Sequence, residues 1–204
     1  MTIQFNVNAT LFARVANAQS TEETRYYLQG VSIEPAPHNL PGVTLTATDG
    51  KVLVSAYDAQ GTVTAPVIVK APAHVLKACK PYKSGAEPHL IGDAGTIVVV
   101  DDKGAEQIAR GTTIDGTFPE WKRVIPQDIG TGTGAVFDPS IMATLAKALI
   151  QRKESGLIVR GVDALSPHLV FGDDDRMVGV AMPIRAPDAD TRALPQWAVR
   201  PVTA

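Results

Sequence analysis

The chain has 204 residues, of which 45% are hydrophobic and 20% charged, so it can bury a core and is too apolar for a disordered chain. A formal charge of -2 excludes a uniformly basic nucleic-acid binder but leaves local basic faces open. No apolar run is long enough to span a bilayer, the opening "MTIQFNVNAT" carries no export pattern, and a lone cysteine, Cys79, fits a reducing cytoplasm without disulfides.

Residues 3–18, "IQFNVNATLFARVANA", predict a strand, a cap at Asn8 and a helix. Three strands follow in "RYYLQGVSIE", "GVTLTATD" and "KVLVSAYD", the last two joined by an Asp-Gly hairpin in "TDGK" (48–51). Residues 66–80, "PVIVKAPAHVLKACK", predict a strand, Pro72 in a first helical turn and a short helix. Strands in "PHLIGD", "GTIVVVDD" and "AEQIARGT" come next, with a turn at "DDKG" (101–104).

A loop, "GTFPEWKRVIP" (116–126), then gathers Phe118, Pro119 and Trp121 beside Lys122 and Arg123. Its bracketing prolines argue against a helix interior or a central strand. It lies in a connector, 113–133, that runs into "GTGTG", which lacks the Lys-Ser/Thr ending of a phosphate loop and reads as a flexible linker. Residues 135–153, "AVFDPSIMATLAKALIQRK", predict a strand, an N-cap at Asp138, Pro139 in the first helical position, and one apolar face from Ile141, Leu145 and Leu149. "SGLIVRG", "PHLVFGD" and "RMVGVAMPIR" predict three more strands, with a turn at "GDDD" (172–175). The pattern is strand, helix, three antiparallel strands, used three times at a period of roughly 65 residues, an α+β repeat.

Four of these stretches, "TEETRYYLQGVSIE", "LTATDGKVLVSA", "IDGTFPEWKRVIP" and "GVAMPIR" (179–185), resemble consecutive landmarks of the bacterial sliding clamp, the beta subunit of DNA polymerase III, and occur in clamp order. The resemblance implies a DNA-clamp fold of repeated βαβββ units, with antiparallel sheets outside and helices inside. Residues 1–116 then correspond to the clamp's middle domain, 117–133 to a connector, 134–185 to the second half of its third domain, and 186–204 to a tail. The clamp's first domain and the other half of its third have no counterpart.

The same resemblance implies a peptide-binding pocket built from Leu28, Thr48, Gly50, Pro119, Arg123, Val124, Val180, Met182, Pro183, Ile184 and Arg185. Lys51 and Val52 stand where the family usually has His and Arg, which alters that rim. Apolar walls of this kind suit a peptide bearing Leu and an aromatic, and Met suits a surface with several partners. The plainer alternative is that Pro119, Trp121 and Val124 only staple two domains together. Helices lining a central hole would carry Arg14, Lys77, Lys80, Lys83, Lys147, Arg152 and Lys153 toward duplex DNA. Lys77, Lys80 and Lys83 share a face if one helix holds them, Lys147, Arg152 and Lys153 are expected on the third helix, and no acidic residue falls within 66–85 or 139–153. The alternative is an ordinary solvated helix face.

Catalysis finds little support. His38, His74, His89 and His168 are scattered without metal-ligand spacing and read as loop or turn residues. Asp101, Asp102 and Asp173 to Asp175 read as solvated turn residues, and Cys79 has no recognisable base partner. The expectation is a non-catalytic, cofactor-free and metal-free processivity factor. Its partners would be duplex DNA, a DNA polymerase and other proteins with clamp-binding peptides, a clamp loader, and further copies of itself. Four copies, as paired dimers, supply twelve units; a trimer closes the ring if 113–133 hides further strands. The rival reading is a peptide-binding interaction module that forms no ring.

Overall fold

The structure, a computed structural model, describes residues 4–37, 40–79, 87–93, 96–100, 106–125 and 135–185, with 106–109 by backbone alone. Lys80, Lys83, His38, Asp101, Asp102, the "GTGTG" stretch and the 186–204 tail lie outside the described residues.

Asn8 ends β1 (Gln4–Asn8) and opens α1 (Ala9–Val15). Its side chain accepts from the Leu11 amide at 3.0 Å, which is the cap the sequence predicts. Short 3-10 turns at Ala16–Ala18 and Glu23–Leu28 follow, so "RYYL" is helical rather than the start of a strand. Then come β2 (Val31–Pro35), β3 (Val43–Thr48) and β4 (Val52–Asp58) as an antiparallel meander. The turn between β3 and β4 places Gly50 at φ +92, a conformation that favours glycine. Asp49 Oδ1 accepts there from the Lys51 and Val52 amides at 2.8 and 2.9 Å.

The chain continues through β5 (Thr62–Val63), β6 (Val67–Lys70), α2 (Ala73–Ala78), β7 (His89–Asp93), β8 (Thr96–Val100), β9 (Glu106–Arg110) and β10 (Thr112–Ile114). A 3-10 turn at Trp121–Val124 precedes α3 (Pro139–Leu149), β11 (Ile158–Arg160), β12 (His168–Phe171) and β13 (Met177–Ala181). Asp138 caps α3 by accepting from the Ser140 amide at 2.8 Å, and Ile141, Leu145 and Leu149 are buried as the periodicity predicts.

Two sheets form, in the orders β5-β1-β7-β8-β9 and β10-β6-β2-β3-β4-β13-β12-β11. The three strands after each helix stay neighbours. The leading strand of each of the first two units leaves its own unit: β1 pairs with β7, and β6 pairs with β2. The two units are therefore interlocked by exchanged strands. Residues 135–138, expected as the third leading strand, form none. A strand needs a neighbour for its N–H and C=O groups, and here Val136 accepts a backbone bond from the Ile184 amide at 2.8 Å instead of joining a ladder.

The third unit attaches through the β4–β13 seam, in register from Met177 opposite Ala56 to Ala181 opposite Val52. Both faces of the seam are covered. Val52, Val54, Ala56 and Ala181 face the core shared with α1 and α3, whereas Leu53, Val180 and Leu169 meet Trp121 on the other face. α3 lies so close to β13 that a Cβ at Gly179 would stand 2.5 Å from a Leu145 methyl.

Several expectations are corrected. α3 stops at Leu149, so Arg152 and Lys153 follow the helix rather than extend it, because Asp173 accepts from the Gln151 and Arg152 amides and draws them from the helical ladder. α2 ends at Ala78, which leaves Lys77 as its lysine. His74 lies in α2, His89 in β7 and His168 in β12, none of them in a turn, and His168 is buried against Phe137. Among the described residues, no helix is long and apolar enough to cross a membrane.

Candidate functional site

The turn that joins β3 to β4, the end of β13 and the Trp121 loop converge at one end of the seam. They enclose a cleft of about 460 Å³. Leu28, Thr48, Gly50, Lys51, Val52, Pro119, Val124, Val180 and Met182 line it, all of them residues that the family resemblance implies for a peptide pocket. Thr48 holds the cleft floor: its hydroxyl donates to Val52 O at 2.7 Å and accepts from the Gly50 amide at 3.1 Å. Val124 and Met182 remain 46% and 41% exposed, so apolar surface stays open at the rim rather than sealed inside.

Four expected residues fall outside the lining. Arg123 turns to solvent and pairs with Glu120 at 2.6 Å. Pro183, Ile184 and Arg185 run on past β13, where the Ile184 amide is tied to Val136. The cleft also takes in Arg25, Tyr27, Leu53 and Glu120, which sequence reading missed. Leu53 was findable, since it alternates with the core-facing Val52 and Val54.

Trp121 does two things. It is buried against Leu53, Leu169 and Val180, so it staples the third unit to the first, and it also lines the cleft. Its indole N–H donates to Glu34 at 3.3 Å, and Lys122 sits 5.4 Å over the ring while pairing with the same carboxylate. Stapling and pocket formation thus belong to one structural unit.

The opposite face of the seam carries α1 and α3. Lys77, Lys147, Arg152 and Lys153 are exposed there or near it, and Arg152 lies 3.8 Å from Asp173. Arg14 is a correction. Only 8% exposed, its guanidinium donates to Ala148 O at 2.7 Å and to Asp174 at 2.6 Å, which commits it to holding α1 against the third unit. Asp173 and Asp174 are correspondingly not solvated turn residues, since both side chains are more than nine-tenths buried.

Asp174 anchors a wider network. Arg176 bonds both Asp174 and Glu87, and Glu87 also accepts from the Asn8 side chain at 2.6 Å. Burial pushes the Asp174 carboxyl up, but hydrogen bonds from Arg176 and Arg14 outweigh it and hold the group down at about 2. Glu87 is lowered chiefly by its bond from Arg176. The network ties together all three units. Among the described residues, no group of His, Cys, Asp and Glu is arranged to hold a metal ion.

No protein-family model and no curated protein sequence matches the chain. Solved structures do. The chain is similar to the DnaN sliding clamp (DNA polymerase III subunit beta) of Bartonella birtlesii bound to griselimycin, with 18% identity, a TM-score of 0.65, and 90% of this chain matched to 66% of that one. The Helicobacter pylori beta clamp bound to a DNA ligase peptide gives 13% identity and a TM-score of 0.64 over 90% and 66% of the two chains. The DNA polymerase III beta subunit of Thermotoga maritima gives 17% and 0.61 over the same shares. The fold is that of the bacterial sliding clamps, and the chain spans 66% of the length of each of these three.

Proposed function

We propose that this protein is a sliding-clamp-like processivity factor, which holds duplex DNA on its helix side and tethers a polymerase or repair protein by a short peptide at the seam. The observation that carries this reading is the cleft itself, where residues from both ends of the chain form one open apolar site on the face away from the helices. A clamp of the same fold binds a DNA ligase peptide, which supports a peptide as the occupant. The benefit to the tethered enzyme is effective concentration, because it rebinds the same primer end instead of diffusing away. The protein's part in this is non-catalytic.

The clamp-like body, 1–116, and the half-domain, 134–185, act as one unit through the β4–β13 seam. Among the described residues β11 is a sheet edge, with Ile158, Val162 and Leu165 exposed at or near it. Pairing of this edge with a second copy removes an unpaired strand from solvent and begins a ring of dimers. The apolar face of α3 is already covered and contributes nothing to that pairing.

The test is fluorescence anisotropy with a labelled peptide containing Gln followed by an apolar and aromatic pair. Met182→Asp places a charge on the apolar wall and is expected to weaken binding by about 30-fold, or roughly 2 kcal/mol. Equal affinity in the folded variant would remove the cleft as the site. Sedimentation equilibrium separates the rival: a strict monomer at tens of micromolar that still binds peptide is the interaction module without a ring.

A further inference from the structure

Met182 stands on the wall of the seam cleft, and the chain runs on from it through Pro183 and Ile184 to Arg185. Residues 186–204 follow in sequence and lie outside the described residues. After a stretch of Ala, Pro and Asp they bring "ALPQW" (193–197), which sets Leu194 and Trp197 close together. Trp197 is one of two tryptophans in the chain, and the other, Trp121, lines the cleft.

The cleft and this segment match in chemistry and in reach. Leu28, Val52, Leu53 and Val180 give the cleft apolar walls, and Val124 and Met182 leave apolar surface exposed at its rim. Burying a Leu and an aromatic ring there removes apolar area from water on both sides. Pro195 has a fixed φ, which lowers the entropy that the segment loses on docking. Of the charged residues on the lining, Glu120 is paired with Arg123 and Arg25 with Glu22, while Lys51 stands exposed as a partner for a carboxylate. Asp188 and Asp190 fall between Arg185 and Leu194 and supply carboxylates. Arg185 is three residues from Met182, at most about 10 Å of chain, whereas the nine residues from Arg185 to Leu194 span up to about 30 Å. The segment is therefore long enough to fold back onto the wall that it leaves.

We infer that Leu194 and Trp197 dock in the seam cleft of their own chain, as a built-in ligand that partner peptides must displace. This rests on the peptide reading of the cleft above and adds an occupant from the chain itself. A short tether gives an effective concentration of about 1 mM, so a segment with a Kd of about 100 μM fills the cleft about nine-tenths of the time. Only the open fraction binds a partner, so partner affinity falls about ten-fold.

The experiment uses the full chain, Trp197→Ala and Val124→Asp, all isotope-labelled. Amide and indole resonances are compared before any peptide is added, and the labelled Gln-apolar-aromatic peptide is then titrated into the parent and Trp197→Ala. Trp197→Ala is expected to move the amides of Thr48 to Val52 and Val180 to Met182 and to tighten peptide binding by about ten-fold. Val124→Asp alters the other side of the contact at an exposed rim position, and it is expected to move the Trp197 indole N–H. Cleft amides that stay in place in Trp197→Ala overturn the proposal, and peptide binding to both proteins then leaves the partner-peptide reading standing. Cleft amides that move, with the Trp197 indole responding to Val124→Asp but no peptide bound by either protein, uphold the built-in ligand and sink the partner peptide. Shifts at Ile158 to Arg160 in place of the cleft would put the segment on the β11 edge and overturn the proposal. Cleft shifts that fade on dilution would assign the segment to a second copy and overturn docking within one chain.

Discussion

Arg14 Nη1 and Asp174 Oδ2 lie 2.6 Å apart, with side chains only 10% and 6% exposed. One belongs to the first helix and the other to the last hairpin, so this pair fastens the third unit to the first beneath the β4–β13 seam. Removing one member strands the other as a buried charge, which costs about 3 to 5 kcal/mol. Asp174→Ala is therefore expected to shift the denaturant midpoint strongly. Pairing it with Arg14→Met is expected to recover part of the loss, because Arg14 is then no longer a stranded charge, while Arg176 keeps its bonds to Glu87. A double variant no better than Asp174→Ala would assign the cost to packing alone.

The same carboxylate contributes to the stability of the fold in acid. Asp174 titrates at about 2 in the folded protein against an ordinary 3.8, and Glu87 is also lowered from 4.5. Their folded pKa values are depressed, so the stability they give is fully present above the ordinary values and is lost as pH falls toward the folded ones. Thermal stability is expected to hold from about pH 8 to pH 5 on their account and to drop between about pH 4.5 and pH 2. In Asp174→Asn that acid-side slope should flatten. An unchanged slope in the variant would place the acid-labile group elsewhere.

Much of this architecture is legible in local sequence, and the reasons for the gaps are physical. The caps at Asn8 and Asp138, the Asp49-Gly50 turn and the apolar face of α3 each depend on neighbours within a few residues, and each is found where the pattern puts it. The exchange of β1 and β6 between units was not legible, because an alternating strand declares its faces and not its partner. Residues 135–138 have a strand's composition but join no ladder among the described residues. Arg14 looks like a DNA-facing cation until Asp174, far away in sequence, claims it, and α3 ends early because Asp173 captures the next amides. In the candidate site, turn and loop residues such as Thr48, Pro119 and Met182 were found by motif, whereas Arg25 and Tyr27 enter only through the fold.

Gly179 tests the docking of α3. A Cβ there meets Leu145 and Leu149 methyls at 2.5 and 3.0 Å, so Gly179→Ala pushes α3 off the seam. A loss of about 1 to 3 kcal/mol is expected by denaturant unfolding, with peptide affinity falling alongside because Val180 lines the cleft. Full stability in this variant would mean that the helix packs more loosely than described.

Cys79 offers a chemical probe of the helix side. Burial pushes its thiol up to about 12, and it is 1% exposed. At pH 8 almost none is thiolate, so a disulfide reagent is expected to react far more slowly with the native protein than with the unfolded chain. Rapid labelling under native conditions would show that α2 opens readily.

The central claim is that a peptide docks in the seam cleft, and amide chemical-shift mapping tests it directly. Titrating the unlabelled Gln-apolar-aromatic peptide into isotope-labelled protein is expected to move the amides of Thr48 to Val52, Trp121 and Val180 to Met182, while those of α1 and α3 stay in place. Shifts centred on the helix face, or none at saturating peptide, would contradict it.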